Sequence, residues 1–137
     1  MSRVELNFDV IKENWCYYSL KDGAILKVKI ILVRLFNDGV DSKGIPTMGF
    51  LATNVMGVIP YGETINKKAL SADDDVGFEV KTEIWNEYQA DDGTTITIKP
   101  VIAQVMRTAT LDPNGEPVYT ASIQPLIKIN KTLVIQK

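Results

Sequence analysis

Alternating apolar and polar residues mark two stretches of this chain as β-strands. Residues 26–30 read Leu-Lys-Val-Lys-Ile, and residues 95–99 read Thr-Ile-Thr-Ile-Lys. A period of two residues is typical of a strand that buries one face and exposes the other to water. The sequence therefore predicts two half-buried strands at these positions.

The alternation breaks just after both stretches. Residues 30–33 read Ile-Ile-Leu-Val and residues 101–103 read Val-Ile-Ala, so these positions are apolar on both faces. Such strands are expected either to pass between two layers or to contact another chain. Pro100 stands at the second break, where its missing N–H favours a bulge or a sheet edge.

Turn signals separate the extended segments. Asp22-Gly23 and Asp92-Gly93 lie between strands, and Asp-Gly is a strong hairpin signal because the turn requires positive φ. The segments Asp41–Gly44 and Asp112–Gly115 have Asp to cap a turn and Gly to supply the special φ. Each half of the chain therefore reads as a meander of strands.

The two meanders are an internal repeat. A shift of 70 positions superposes the two tryptophans of the chain, Trp15 and Trp85. The same shift superposes Phe8 on Phe78, Val10 on Val80, Glu13 on Glu83, Tyr18 on Tyr88, Asp22 on Asp92 and Lys29 on Lys99. Chance alignment of common turn residues is the alternative, but paired Trp, Tyr and turn residues in one register favour a duplication.

The repeat defines the predicted fold. We expect an all-β, pseudo-two-fold barrel or sandwich of about six to eight strands, built from two duplicated β-meanders. The units span residues 5–58 and 75–129, and residues 59–74 form a connector with at most one short helix. Each unit has only some fifty residues, marginal for an independent core, so residues 1–137 are predicted to form a single domain.

Composition excludes several classes of chemistry. The chain has 137 residues, no histidine, one cysteine and a formal charge of −2. Histidine-dependent catalytic triads, histidine-ligated zinc and intrachain disulfides are therefore excluded. The acidic balance disfavours nucleic acid as a partner, because no general basic field is available to hold its backbone.

The sequence predicts a cytoplasmic protein. Its first residues lack the apolar run of a signal peptide. The most apolar stretch, residues 30–36, is interrupted by Arg34 and is too short to span a bilayer. A lone cysteine fits a reducing compartment.

Paired aromatic and basic residues are the best candidates for a binding site. These are Trp15, Tyr18, Trp85, Tyr88, Lys29 and Lys99. Aromatic platforms beside lysines can stack bases or hold a flat ligand. The competing interpretation makes the aromatic residues pillars of the core with a polar tip at its rim. We favour the core interpretation for both tryptophans, which predicts that both are largely buried.

Carboxylates supply the remaining candidates. Asp73–Asp75, with Glu63 or with Asp38 and Asp41, could coordinate a hard cation, but the spacing of a calcium loop is missing. A solvated acidic loop is the favoured interpretation. Glu13 and Glu83 are related by the repeat and are candidates for a pair of carboxylates facing each other.

The sequence assigns no catalytic residue, no metal site and no cofactor. Cys16 has no second cysteine and no histidine base, so we expect a buried, inert thiol.

The favoured function is a non-enzymatic binding or assembly module that forms a homo-oligomer or binds a protein partner. Catalytic residue types are sparse, and the strands that are apolar on both faces offer more hydrophobic surface than one small domain needs. A carboxylate- or metal-dependent enzyme is the first alternative. Binding of single-stranded nucleic acid through Trp15 and Trp85 is the second.

Overall fold

The computed structural model describes residues 3–44, 46–59 and 72–131, and in these ranges the chain is all-β. Ten strands follow one another, with no helix among them. They are β1 (Val4–Leu6), β2 (Phe8–Lys12), β3 (Cys16–Leu20), β4 (Ile25–Val40), β5 (Pro46–Ile59), β6 (Asp74–Asp75), β7 (Phe78–Thr82), β8 (Asn86–Ala90), β9 (Thr94–Leu111) and β10 (Pro117–Lys131).

The strands form two antiparallel sheets. In the first sheet, β4 pairs with β5 on one side and with β3 and β1 on the other, and β7 adds to the outside of β3. In the second sheet, β9 pairs with β10 on one side and with β8 and β6 on the other, and β2 adds to the outside of β8. Neither sheet closes on itself within the described ranges, and the barrel alternative has no support from this topology.

Two of the short strands cross between the halves of the chain. Strand β2 pairs with β8, and strand β7 pairs with β3. Backbone bonds at the strand ends fasten both crossings: the Lys21 N–H donates to the Gly77 carbonyl at 2.8 Å, and the Asp91 N–H donates to the Asn7 carbonyl at 3.0 Å. Each sheet therefore contains strands from both halves of the chain.

The predicted Asp-Gly hairpins are confirmed. Gly23 and Gly93 have φ of 96° and 90°, and they lie in the turns that join β3 to β4 and β8 to β9. In both turns the aspartate Oδ1 accepts the N–H of the residue two positions later, Ala24 at 3.1 Å and Thr94 at 2.9 Å. Only glycine adopts this φ without strain, so these two positions fix the hairpins.

Two buried clusters contain side chains from both sheets. The first joins residues of β3 and the start of β4 to residues at the far end of the second sheet: Cys16, Tyr18, Leu20, Ala24, Leu26, Val28, Val76, Val105 and Tyr119. The second joins the middle of β4 to β8 and the start of β9: Ile30, Leu32, Leu35, Tyr88, Ala90, Ile96 and Ile98. The core thus lies between the sheets.

A bulge explains the broken alternation in each long strand. The pairing of β4 with β5 shifts between Leu32 and Arg34, which leaves Val33 without a cross-strand partner. Leu32 and Leu35 are therefore both buried, whereas Val33 is 45% exposed. In β9 the shift falls at Ala103, and Val105 is buried beyond it. These segments do not pass between two layers, because Val33 and Val101 are exposed, and the other alternative, contact with another chain, stays a prediction.

Pro100 lies three residues before that bulge. It is fully buried and sits just beyond Ile98, where the pairing of β9 with β8 ends. Because β8 does not extend past this point, the missing N–H of Pro100 breaks no bond to it. Of the two positions predicted for Pro100, a bulge or a sheet edge, the structure fits the edge.

The prediction of six to eight strands is too low. The short strands β1 and β6, of three and two residues, carry no clear alternation that a sequence pattern could detect. Within the predicted connector, residues 60–71 lie outside the described residues, and so does the predicted helix.

The bulge in β4 is testable by two substitutions. Leu35→Ala should lower the free energy of unfolding by about 2–5 kcal/mol, because it empties a buried position. Val33→Ala should change it by less than about 0.5 kcal/mol, since Val33 faces water. Urea unfolding of both variants measures the difference, and equal costs at the two positions would contradict the bulge.

Candidate functional site

The buried pillars of the structure are tyrosines. Tyr18 and Tyr88 are both fully buried, and each hydroxyl donates to a glutamate from the other half of the chain. Tyr18 Oη donates to Glu83 Oε2 at 3.1 Å, and Tyr88 Oη donates to Glu13 Oε2 at 2.7 Å. These two bonds correspond to each other under the shift of 70 positions. Each glutamate carboxylate is therefore bonded to a tyrosine of the opposite half of the chain.

Each tyrosine also packs against a phenylalanine from the strand that crosses over. The Tyr88 ring meets Phe8 of β2 edge-to-face at 5.6 Å between centroids, and the Tyr18 ring meets Phe78 of β7 at 6.0 Å. Edge-to-face pairs of this kind stabilise a core beyond their buried area. The tyrosines therefore hold the two crossing strands in place.

Burial controls the acidity of both tyrosines. Loss of water around the hydroxyl raises the pKa of Tyr88 far above its usual value, and the hydrogen bond to Glu13 raises it further. The pKa of Tyr18 is raised mainly by burial and also by the nearby Glu83 and Cys16. Both groups therefore act as neutral hydrogen-bond donors.

The tryptophans lie outside both buried clusters. Trp15 and Trp85 are half-buried, and lysine ammonium groups cover their rings. Lys27 Nζ and Lys29 Nζ lie 4.4 and 4.7 Å from the Trp15 ring centroid. Neither tryptophan is among the fully buried side chains, and the core interpretation of these two residues stays a prediction. Trp15 directly precedes β3, three positions before the inward-facing Tyr18, and an odd spacing in extended chain puts it on the opposite face.

The second tryptophan has the same kind of cover from a different strand. Lys99 Nζ of β9 and Lys128 Nζ of β10 lie 5.1 and 4.7 Å from the Trp85 ring centroid. Lys27 belongs to β4, the strand that also carries Lys29, whereas Lys128 belongs to β10, the neighbour of the strand that carries Lys99. The second lysine over each tryptophan therefore comes from non-equivalent strands in the two halves. Lys128 was missed at the sequence level because it does not match Lys27 under the repeat.

Two sets of residues result. We call Glu13, Trp15, Lys27, Lys29 and Tyr88 the first cluster, and Glu83, Trp85, Lys99, Lys128 and Tyr18 the second cluster. In the second cluster Lys99 Nζ lies 3.0 Å from Glu83 Oε1, and in the first Lys29 Nζ lies 3.9 Å from Glu13 Oε1. Each tryptophan is thus connected, through a lysine and a glutamate, to the tyrosine of the other half and not to the tyrosine three residues after it.

A cysteine and an asparagine fill matching positions beside the clusters. Cys16 Sγ accepts the Ile84 N–H at 3.2 Å and contacts the Ile84 carbonyl at 3.4 Å. Asn86 Oδ1 accepts the Asn14 N–H at 2.7 Å. Burial raises the pKa of the Cys16 thiol, which favours the neutral thiol as the sequence predicts. Asn86 was not singled out from the sequence, although the repeat aligns it with Cys16.

The acidic residues proposed as cation ligands are dispersed over different contacts. Asp73 Oδ1 accepts the Ala109 N–H at 2.9 Å, Asp75 Oδ2 accepts from Gln104 Nε2 at 3.2 Å, and Asp38 Oδ1 pairs with Arg3 at 2.7 Å. Glu63 lies outside the described residues. In the ranges that the structure describes, no three acidic or cysteine side chains come together as metal ligands do.

A cavity of about 300 Å³ opens beside the first hairpin turn. Its lining combines both signs of charge and consists of Lys21, Asp22, Asp74, Asp75, Val76, Gly77 and Arg107. The Tyr119 hydroxyl donates to Asp22 Oδ2. Asp74 and Asp75 belong to the acidic segment that the sequence singles out, but the cavity itself forms only where β6 and β9 meet a turn of the other sheet.

Comparison with protein-family models, with curated proteins and with solved structures finds no match. Among the described residues, no helix has the length and apolar character needed to cross a membrane.

The tyrosine core and the tryptophan surface should respond differently to truncation. Tyr88→Ala should cost about 3–5 kcal/mol of unfolding free energy, as other large buried residues do. Trp15→Ala should cost less than Tyr88→Ala, because the Trp15 ring is only partly buried, although the variant also loses two cation–π contacts of about 0.5–1 kcal/mol each. Urea unfolding compares the two, and a larger cost for Trp15→Ala would contradict this assignment.

Stability should fall at alkaline pH. The pKa values of Tyr18 and Tyr88 are raised in the folded protein, so above a pH of about 10 the unfolded chain loses these protons first. The tyrosine contribution is fully present below that pH and decreases as pH rises toward the folded pKa. Urea midpoints measured from pH 8 to 11 should show the decrease. A Tyr18→Phe, Tyr88→Phe double variant should show a weaker dependence on pH in this range.

Proposed function

We propose that this chain is a non-enzymatic binding or assembly module that forms a homo-oligomer. The observation that carries the proposal is the apolar surface on the outward faces of the two sheets. Its members include Val33, Leu51 and Val55 on the first sheet and Val101 and Leu126 on the second, each 38–52% exposed. Monomeric proteins rarely expose contiguous apolar patches of large size, so such positions are typical of contact surfaces.

The chemistry of the two clusters supports a structural role. The Glu13 and Glu83 carboxylates each accept a tyrosine hydroxyl, and each lies beside a lysine. The buried tyrosines are held neutral by their raised pKa values. A catalytic acid or base needs access to substrate and a pKa near the working pH, and these tyrosines have neither.

A carboxylate-dependent enzyme is the second candidate, and the cavity favours it. Asp22, Asp74 and Asp75 line the cavity together with Lys21 and Arg107, a mixture that suits a small polar ligand. Glu13 and Glu83 are not part of its lining, so the cavity would use a different set of carboxylates from the one that the repeat singles out.

Binding of single-stranded nucleic acid is the third candidate and has less support. Stacking of bases needs an open aromatic face. Two lysine ammonium groups lie over each tryptophan ring, so a base would have to displace them or use the opposite face of the ring.

We also propose that the two halves arose by duplication. The contacts between the halves are reciprocal: Tyr18 to Glu83 matches Tyr88 to Glu13, and the backbone bonds at Lys21 and Asp91 correspond in the same way. Both sheets have the same order of strands with the halves exchanged. Such reciprocity is expected if two copies of one unit first associated through a symmetric contact and were later joined.

Self-association is measured directly on the intact chain. Light scattering over a range of concentrations should give a mass at least twice the 15.2 kDa of one chain. Native mass spectrometry of the same sample distinguishes the second candidate, since a bound metal or small molecule on a single chain would favour it. A clean monomer at high micromolar concentration would overturn the assembly proposal.

A further inference from the structure

The open edges of the two sheets differ in their chemistry. Within the described ranges, β5 and β10 each pair with one strand only, so each presents one free edge. Residues 47–59 of β5 contain no charged residue and no proline. Strand β10 carries Pro125, Lys128 and Lys131. Proteins use lysine and proline on edge strands to prevent pairing with other chains, and β5 has neither after Pro46 at its start.

The short strands at the far edges are protected in another way. Strands β2 and β7 have five residues each, and they carry charged side chains in the sequences Phe-Asp-Val-Ile-Lys and Phe-Glu-Val-Lys-Thr. Short length and charge both disfavour addition of another strand. Among these four strands, β5 alone is long, uncharged and open.

Contacts of β4 show which β5 backbone groups face the open edge. The Leu32 N–H donates to the Tyr88 hydroxyl at 3.2 Å, and the Ile30 carbonyl accepts from Asn86 Nδ2 at 3.1 Å. Both groups therefore point away from β5. Their cross-strand partners, Ala52 and Asn54, must also point their own N–H and carbonyl groups away from β4, since residues in such pairs do not bond each other.

The same argument shows how β10 is blocked. Pro125 stands directly opposite Pro100. Neither proline has an N–H, so they cannot form a hydrogen-bonded pair, and the Pro125 nitrogen must face the open edge. A pyrrolidine ring therefore occupies the place of a donor on β10. Asn54 has the corresponding place on β5, because it stands opposite Ile30 as Pro125 stands opposite Pro100.

We propose that the open edge of β5 pairs antiparallel with β5 of a second copy of this chain, which joins the two first sheets into one. This inference rests on the proposed self-association, but it places the contact at the β5 edge instead of on the outward faces of the sheets, where Val33 lies. A second copy fits because an antiparallel strand pairs with itself around a two-fold axis, and because an uncharged edge does not repel its own copy. The blocked edge of β10 ends the assembly at a dimer.

The experiment transfers the β10 block to β5. Asn54→Pro removes an N–H that points to the open edge and breaks no bond to β4, and the Asn54 side chain is exposed. Light scattering should give a dimer for the wild-type chain and a monomer for this variant, with unchanged circular dichroism. The reverse substitution, Pro125→Asn, should open the second edge and give particles larger than a dimer.

A matched control separates edge pairing from packing of the sheet faces. Val33→Lys places a charge on the outward face of the same sheet, but on the central strand β4. It should leave the dimer intact. Dissociation by Val33→Lys together with a dimeric Asn54→Pro would overturn edge pairing in favour of face packing, and the proposed function would remain. A wild-type chain that is monomeric at every concentration overturns both.

Hydrogen exchange keeps the test decisive if Asn54→Pro fails to fold. In the wild-type dimer, the amides of Ala52, Asn54 and Met56 should exchange slowly, and dilution to the monomer should accelerate them. Fast exchange of these amides in an oligomeric sample would overturn the proposal. Slow exchange that does not change on dilution would also overturn it, since another segment of the same chain would then cover the edge.

Discussion

The structure depends on the exchange of two short strands between the halves of the chain. Each sheet obtains an outer strand from the other half, β2 on β8 and β7 on β3. A five-residue strand buries little surface, so its position must be held by specific contacts. Tyr18 and Tyr88 supply these contacts, because each packs on a phenylalanine of the incoming strand and bonds the glutamate that follows it. Neither half has a complete core without the other.

This exchange also explains the arrangement of the surface clusters. The glutamate that accepts a tyrosine hydroxyl from one half lies beside a lysine of its own half, and that lysine covers a tryptophan. The charged groups therefore connect the buried tyrosine to the half-exposed indole. In this network the carboxylates and lysines contact the tyrosines and tryptophans of the same protein. The outward apolar residues of the sheets are not part of it.

The two sheets have the same order of strands but unequal edges. Within the described ranges β5 and β10 each pair with one strand only, and Pro125 of β10 stands where β5 has Asn54. An edge strand is hydrogen-bonded to a neighbouring strand on one side only, so about half of its backbone N–H and C=O groups have no partner strand. The two similar sheets thus differ in one backbone donor at this edge, because Asn54 has an N–H and Pro125 has none.

The sequence by itself determined the elements with local causes: the all-β class, the Asp-Gly hairpins and the half-buried strands, because turn chemistry and a period of two act within a few residues. Only the tertiary structure decided which half supplies each outer strand, since that choice depends on contacts between residues about 70 positions apart. It also decided that Tyr18, not Trp15, enters the core. The odd spacing of these residues indicated opposite faces, but which face is buried depends on the position of the second sheet. The bulge at Val33 likewise became visible only in the pairing of β4 with β5, and it leaves both Leu32 and Leu35 buried.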